Sequence, residues 1–260
     1  RSLLVPAMLT ALSELPARKA DGPPLAVLTA YDYPMGRLLD EAGADLLLVG
    51  DSLGMVVLGL PDTTGVTLDM MCHHTAAVRR GVVRAPVIAD LPYHTYRDAG
   101  EALASARRLV EAGADAVKLE GGLDFLPQVR AIVGAGIPFV GHLGMLPQSV
   151  REEGGYKKKG RTPEDAARLL VDAEVLDAAG ACAIVLESMM PEVAEAITGR
   201  VRASTIGIGA GRATDGQVLV TPDLTGGFPW FRPPFAKARA AVADEMSRAA
   251  REFIAEVRGA

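Results

Sequence analysis

Thiols, aromatic rings and excess basic charge are all scarce in this chain, and each scarcity closes off a class of function. Cys72 and Cys182 are its two cysteines. They lie in apolar helix- or strand-like context without zinc-type spacing, which excludes a disulfide scaffold and favours a reducing, cytoplasmic setting. Aromatic residues make up 5% of the chain, too few for an aromatic-rich binding sandwich. The formal net charge is −5 and the sequence pI about 5.5, so no nucleic acid and no anionic membrane surface is expected as a partner. No run approaches the ~20 apolar residues of a membrane span. The stretch 1–12 loosely imitates a signal peptide, but Pro6 interrupts it. Leu9 and Leu12, followed by Glu14 and Arg18, read as an amphipathic helix.

What the chain has in abundance is Ala, Val, Leu and Gly, within a hydrophobic share of 49%. Apolar runs recur near 25–30, 45–50, 86–90, 115–119, 137–141, 182–187, 204–208 and 217–220. Helical patterns fill most of the gaps, as over 99–112, where Leu103, Ala106, Leu109 and Val110 share a face. Gly43, Gly113 and Gly180 each stand where a helix should stop just before a strand. This rhythm predicts an α/β protein, a (β/α)8 TIM barrel. It is read as one domain over 1–260 with an N-terminal helix and a C-terminal helix over 235–257. A Rossmann sheet is the alternative, but LTAYDYP occupies the place of its glycine fingerprint. The stretch GGFPWFRPPF before the last helix reads as a surface loop and a subunit contact.

Five of the apolar runs end in an acid or an imidazole: Asp51, Asp90, Glu120, His142 and Glu187. In a parallel barrel all strand C-termini open on one face, where catalysis resides. Four carboxylates there repel one another, and Lys118, on the same side of its strand as Glu120, offsets one of them. The remaining negative charge calls for a cation. Carboxylate oxygens select a hard ion such as Mg2+, whereas zinc would want more imidazole or thiolate.

Each residue also has a blander reading. Asp51 could cap the next helix, although Gly-Met-Val-Val-Leu-Gly starts one poorly; Pro92 presents Asp90 on a rigid turn. Lys118 and Glu120 could be a structural pair, but Gly121 and Gly122 leave space above them. Glu187, closing a wholly apolar strand, suits proton abstraction beside a carbonyl. His142 could ligate metal or bond substrate. His73 and His74 are adjacent on a helix, diverge by about 100° and are not expected to ligate a metal. The glycines of 207–211 invite a weak phosphate-cradle reading, or let backbone pass near substrate. GGYKKKGR (154–161) is either a solvated loop or a cationic lid.

Together LTAYDYP, VGDSLGM, DLPY, KLEGG, GHLGMLPQS, GGYKKKGR, IVLES and TIGIGAG with DGQVLV resemble, in order, the motifs of the ketopantoate hydroxymethyltransferase family. The resemblance covers residues from about 25 to 221. It implies a barrel of the phosphoenolpyruvate/isocitrate lyase type, Mg2+, and 5,10-methylenetetrahydrofolate donating one carbon to the keto acid 3-methyl-2-oxobutanoate to give 2-dehydropantoate. By motif, Asp51, Asp90 and Glu120 would hold the metal. Asp51, Ser52, Asp90, Lys118 and His142 would bind substrate, and Glu187 would be the base. It further implies a homo-oligomer, a decamer. Thr214 and Pro222 stand where the family often has Cys and His. The rival enzyme reading, a Mg2+-dependent carbon–carbon lyase acting on a 2-keto acid, expects a cysteine loop of Lys-Lys-Cys-Gly-His type that this chain lacks.

Overall fold

The computed structural model describes Leu12 and residues 14–259. Of the amphipathic helix expected around Leu9 to Arg18, the residues before Leu12 lie outside the described residues. The chain divides into two compact units, one ending at Val218 and the other beginning at Leu219.

In the first unit, α1 (Leu15–Asp21) precedes β1 (Leu25–Thr29), α2 (Tyr33–Glu41) and β2 (Leu46–Val49). The short α3 (Leu53–Val56) and then α4 (Leu68–Gly81) lead to β3 (Val87–Asp90), α5 (Ala99–Glu111), β4 (Ala116–Glu120) and α6 (Leu126–Gly134). The unit continues with β5 (Phe139–Gly144), α7 (Pro163–Ala178), β6 (Ala183–Glu187), α8 (Pro191–Arg200) and β7 (Ser204–Ile208), and β8 (Gly216–Leu219) spans its end. The eight strands close in sequence order into a parallel barrel, as the strand–helix rhythm predicts.

Local signals set the element ends. Side chains of Asp32, Thr67, Asp98 and Thr162 accept the N–H three residues on, capping α2, α4, α5 and α7. Gly43, Gly113 and Gly180 have φ of +90°, +112° and +99°, a left-handed geometry that stops each helix and that glycine adopts without strain. The buried face of α5 is formed by Ala102, Ser105, Ala106 and Leu109. Val110 lies outside that face and is exposed, because one step past Leu109 turns about 100° around the helix.

Alternation along the strands creates two apolar layers. Leu46, Leu48, Ile88, Ala116, Val140, Val185 and Ile206 cluster with Leu12 and Leu15 inside the barrel. Leu47, Val49, Val87, Val117, Leu119, Ile184 and Leu186 cluster with the helices outside. Each fully buried aliphatic side chain contributes about 1.5–3 kcal/mol. At the amino end, Lys19 Nζ donates to the carbonyls of Val201 and Ala203 at 2.8 and 3.2 Å and pairs with Asp215 at 3.2 Å.

The second unit contains α9 (Thr221–Thr225) and α10 (Val242–Arg258). The last helix begins at Val242, not at Phe235 as the sequence suggests. The N–H groups of Arg239 and Ala243 donate to Leu224 and Gly226, so this stretch bonds back to α9 and its turn instead of extending α10 forward. No residue of α10 is buried, and Met246, Phe253, Ile254 and Val257 are exposed. No described helix is long and apolar enough to cross a membrane.

Candidate active site

The parallel register brings the strand-end residues into one arc. Asp90 pairs across the sheet with Lys118, and Glu120 with His142. Glu187 lies opposite Gly144, one strand further on. Because Val117 and Leu119 belong to the outer layer, Lys118 and Glu120 face inward. Asp51 follows β2 on a turn, where its N–H donates to Asp90 Oδ2 at 3.0 Å. Ser52 opens the short α3 without a side-chain cap. Its hydroxyl shares a 2.8 Å hydrogen bond with the Tyr31 hydroxyl, and His74 Nδ1 lies 2.6 Å from the Tyr31 carbonyl. So α3 does form, but Asp51 is not its cap.

Lys118 Nζ lies 3.1 Å from both Asp90 Oδ1 and His142 Nδ1. His142 reaches Glu120 Oε1 at 3.4 Å and, through Nε2, Glu187 Oε2 at 3.1 Å. An ammonium only donates, so the Lys118 contact suits a bare Nδ1, whereas the flanking acids favour a second proton on the ring. In either form Nε2 carries the hydrogen that faces Glu187. Asp51, Asp90, Lys118, Glu120 and His142 are all buried, while the Glu187 side chain keeps 15% of its surface open. The one partly accessible carboxylate is the one assigned to work on substrate.

Burial, then the charges of Asp90 and Glu120, push the Asp51 carboxyl well above the usual carboxylate range. Burial also raises Asp90, against the opposing pull of Lys118. Burial pulls Lys118 down, but the three acids outweigh it and the ammonium is held above its ordinary value. For His142, burial and Lys118 lower the ring; Glu120 and Glu187 overcome both and raise it to about 9. With all four carboxylates ionised, as a bound cation would hold them, Lys118 and a protonated His142 leave two negative charges uncompensated, and a neutral His142 leaves three.

Buried Asp90 Oδ1 and Glu120 Oε1 make no hydrogen bond of normal geometry, although ion-pair partners lie close. Carboxylate oxygens that lack a hydrogen bond in a negatively charged pocket fit a hard divalent cation. Among the described residues, no three His, Cys, Asp or Glu side chains stand together as a ready-made cage. Mg2+ does not require one, since it usually takes one or two carboxylates and fills its octahedron with water and substrate oxygens.

Three neighbours escaped the sequence reading: Tyr31, Tyr96 and Gln148. Gln148 comes from the loop after β5, and its N–H donates to Glu120 Oε2 at 3.0 Å. Its carboxamide reaches Asp51 Oδ2 and the Leu91 carbonyl at 2.7 and 3.0 Å. The motif GHLGMLPQS contained it, but a neutral amide carries no charge signal.

Two motifs resolve differently from their glycine patterns. Gly207 belongs to the outward-facing set of β7, and a Cβ there would sit 2.7 Å from Thr214 Oγ1 and 2.9 Å from Gln217 Nε2. That glycine serves packing against the segment leading to β8, not a cradle over the mouth. In the 154–161 loop, Lys159 is tied to the end of β6. Its N–H donates to Ser188 O and its carbonyl accepts from Met190 N, both at 2.9 Å, while Nζ pairs with Glu153 at 2.6 Å.

The family model for ketopantoate hydroxymethyltransferase matches residues 10–260. A protein of Acetivibrio thermocellus named 3-methyl-2-oxobutanoate hydroxymethyltransferase is 50% identical over 92% of this chain and 86% of its own length. One of the same name from Thermus thermophilus is 50% identical over 90% of this chain and 92% of its own. In fold alone, the chain is similar to the phosphoenolpyruvate phosphomutase of Streptomyces platensis subsp. rosaceus. There the TM-score is 0.68 at 18% identity, covering 95% of this chain and 88% of that one. A closed parallel barrel, a family match over residues 10–260 and half-identical relatives along nearly the whole length agree: this chain is an enzyme of the ketopantoate hydroxymethyltransferase family.

Proposed function

We propose that this enzyme transfers a hydroxymethyl group from 5,10-methylenetetrahydrofolate to 3-methyl-2-oxobutanoate, giving 2-dehydropantoate, with Mg2+ as cofactor. One observation supports the reading above the rest. A partly open Glu187 lies beside a buried arc of Asp90, Lys118, Glu120 and His142 at the carboxyl end of the barrel, in a chain whose relatives are named 3-methyl-2-oxobutanoate hydroxymethyltransferase.

Asp51, Asp90 and Glu120 would hold the Mg2+, which supplies Lewis acidity toward a keto oxygen. The chain's own residues carry the rest. Lys118 supplies positive charge for the substrate carboxylate, and the Ser52 hydroxyl, held by Tyr31, donates to it. Glu187 takes the proton from C3 of the keto acid. His142 Nε2 faces Glu187, orients that carboxylate and stabilises its charge before the transfer. Water adds to the folate methylene and both of its C–N bonds break, releasing tetrahydrofolate and a one-carbon unit at the oxidation level of formaldehyde; C3 then bonds to that carbon, and its oxygen takes up a proton to become the new hydroxyl. Lys157 and Lys158 of the 154–161 loop would supply positive charge toward the acidic tail of folate. We extend the reading to a cytoplasmic homo-oligomer, a decamer; the exposed apolar residues of α10 support association between copies.

The test is proton NMR of 3-methyl-2-oxobutanoate in D2O with enzyme, with and without Mg2+ and without folate. Mg2+-dependent loss of the C3–H signal is expected. If neither exchange nor product forms when Mg2+ and methylenetetrahydrofolate are both present, the reading is wrong.

A further inference from the structure

The acids of the mouth are held by a residue that carries no charge. Gln148 sits on a short 3-10 turn, Pro147–Ser149, in the loop after β5, and is 3% exposed. Its backbone N–H donates to Glu120 Oε2 at 3.0 Å. Its Nε2 donates to Asp51 Oδ2 at 2.7 Å and to the Leu91 carbonyl at 3.0 Å. Its Oε1 accepts a short hydrogen bond from the Tyr96 hydroxyl. The carboxamide therefore has one orientation. Its NH2 end meets two acceptors and its oxygen meets a donor, and a flipped amide would set oxygen against oxygen at Asp51 and Leu91. Tyr96 is itself buried, and its backbone carbonyl accepts from Gln128 Nε2 at 3.2 Å.

Charge explains why an amide suits this place. A lysine or arginine would hold Asp51 equally well, but would cancel the negative charge that attracts a cation. A carboxylic acid would place a further negative charge beside Asp51 and Glu120. A neutral donor fixes one oxygen of each carboxylate and leaves the field intact. Glu120 Oε1 is left without a hydrogen bond, on the same carboxylate whose other oxygen Gln148 holds.

We infer that Gln148, locked by Tyr96, is the positioning residue of the cation site, aiming Asp51 and Glu120 through hydrogen bonds without touching the reacting atoms. The inference rests on the metal reading proposed above. Partners of this kind commonly govern about 10–100-fold in metal affinity.

The experiment titrates Mn2+ into the full-length protein, free of substrate, by electron paramagnetic resonance. Gln148→Met keeps the side-chain volume and the backbone N–H to Glu120 but deletes both side-chain donors; Mn2+ binding should weaken about 10–100-fold. Tyr96→Phe removes only the hydroxyl that orients the amide, and a several-fold loss is expected. The double variant should bind no worse than Gln148→Met, since both changes act through one carboxamide. A lower melting temperature with unchanged Mn2+ affinity would make Gln148 merely structural and overturn the inference. If Gln148→Met does not fold, Tyr96→Phe decides alone, and wild-type affinity in it overturns the inference. Wild-type protein that binds no Mn2+ would instead overturn the metal reading and this inference with it.

Discussion

Along four neighbouring strands the inward-facing positions change character within one step of the pleat. Ile88 is followed by Asp90, Ala116 by Lys118, Val140 by His142 and Val185 by Glu187. Two residues separate the members of each pair, about 6.6 Å along a strand. The lower layer is apolar and closed beneath by Leu12 and Leu15. The upper layer carries four ionisable groups on the same scaffold, three of them buried. A layer of hydrocarbon thus holds a layer of charge in place while keeping water from screening it from below, which strengthens every interaction at the mouth. Stability is concentrated in the lower layer and chemistry in the upper one.

Glu187→Gln tests the upper layer most severely. It should reduce C3 proton exchange by about 10^2–10^4-fold with little change in melting temperature; exchange at the wild-type rate would remove Glu187 from the role of base. Ile206→Ala is its counterpart in the lower layer, where Ile206 is 1% exposed. It should cost about 2–5 kcal/mol of stability in denaturant titration and leave keto-acid affinity nearly unchanged. If both variants lose activity and stability in equal measure, the two layers are not separate.

The pH dependence sharpens the contrast. A histidine whose folded value is raised to about 9 from an ordinary ~6.5 binds its proton more tightly when folded. Its contribution is complete below ~6.5 and disappears as pH rises through about 9. The raised carboxyls of Asp51 and Asp90 act with the same sign, since the folded state again holds protons that the unfolded chain has released. Metal-free protein should therefore lose stability between pH 6.5 and 9, and more steeply than His142→Gln, in melting curves recorded across that window. Equal slopes would mean that His142 stays neutral and that its contact with Lys118 prevails over those with the acids.

The smallest effect is expected above the mouth. Replacing Lys157 and Lys158 by Ala should raise the KM for polyglutamylated folate a few-fold and leave kcat unchanged, measured in steady-state assays. An unaltered KM would identify the two cations as solvated surface.

The barrel was readable because it is built from repeated local signals: apolar runs, helical faces between them, and glycines such as Gly113 that halt a helix. The acids and Lys118 were readable for a related reason, since a charge at the end of a hydrocarbon strand stands out against its neighbours. Gln148, Tyr96 and Tyr31 were not readable. Gln148 lies 97 residues from Asp51 in sequence, and nothing in MLPQS distinguishes an amide that turns inward from one that faces solvent. Gly207 misled because a glycine that makes room for substrate and one that makes room for Thr214 look alike in one dimension. The start of α10 was misplaced because alanine-rich sequence favours helix, while Arg239 gives its N–H to Leu224.

The sequence by itself determined the eight strand–helix units, the side of each strand that faces inward and the identity of the residues at the strand ends. Periodicity, capping and glycine punctuation act over a few residues and need no partner from afar. The tertiary structure alone decided which of those ends meet: Asp90 beside Lys118, His142 between Glu120 and Glu187, and Gln148 against Asp51. Such contacts depend on the register of neighbouring strands and on barrel closure, and no local stretch of chain encodes either.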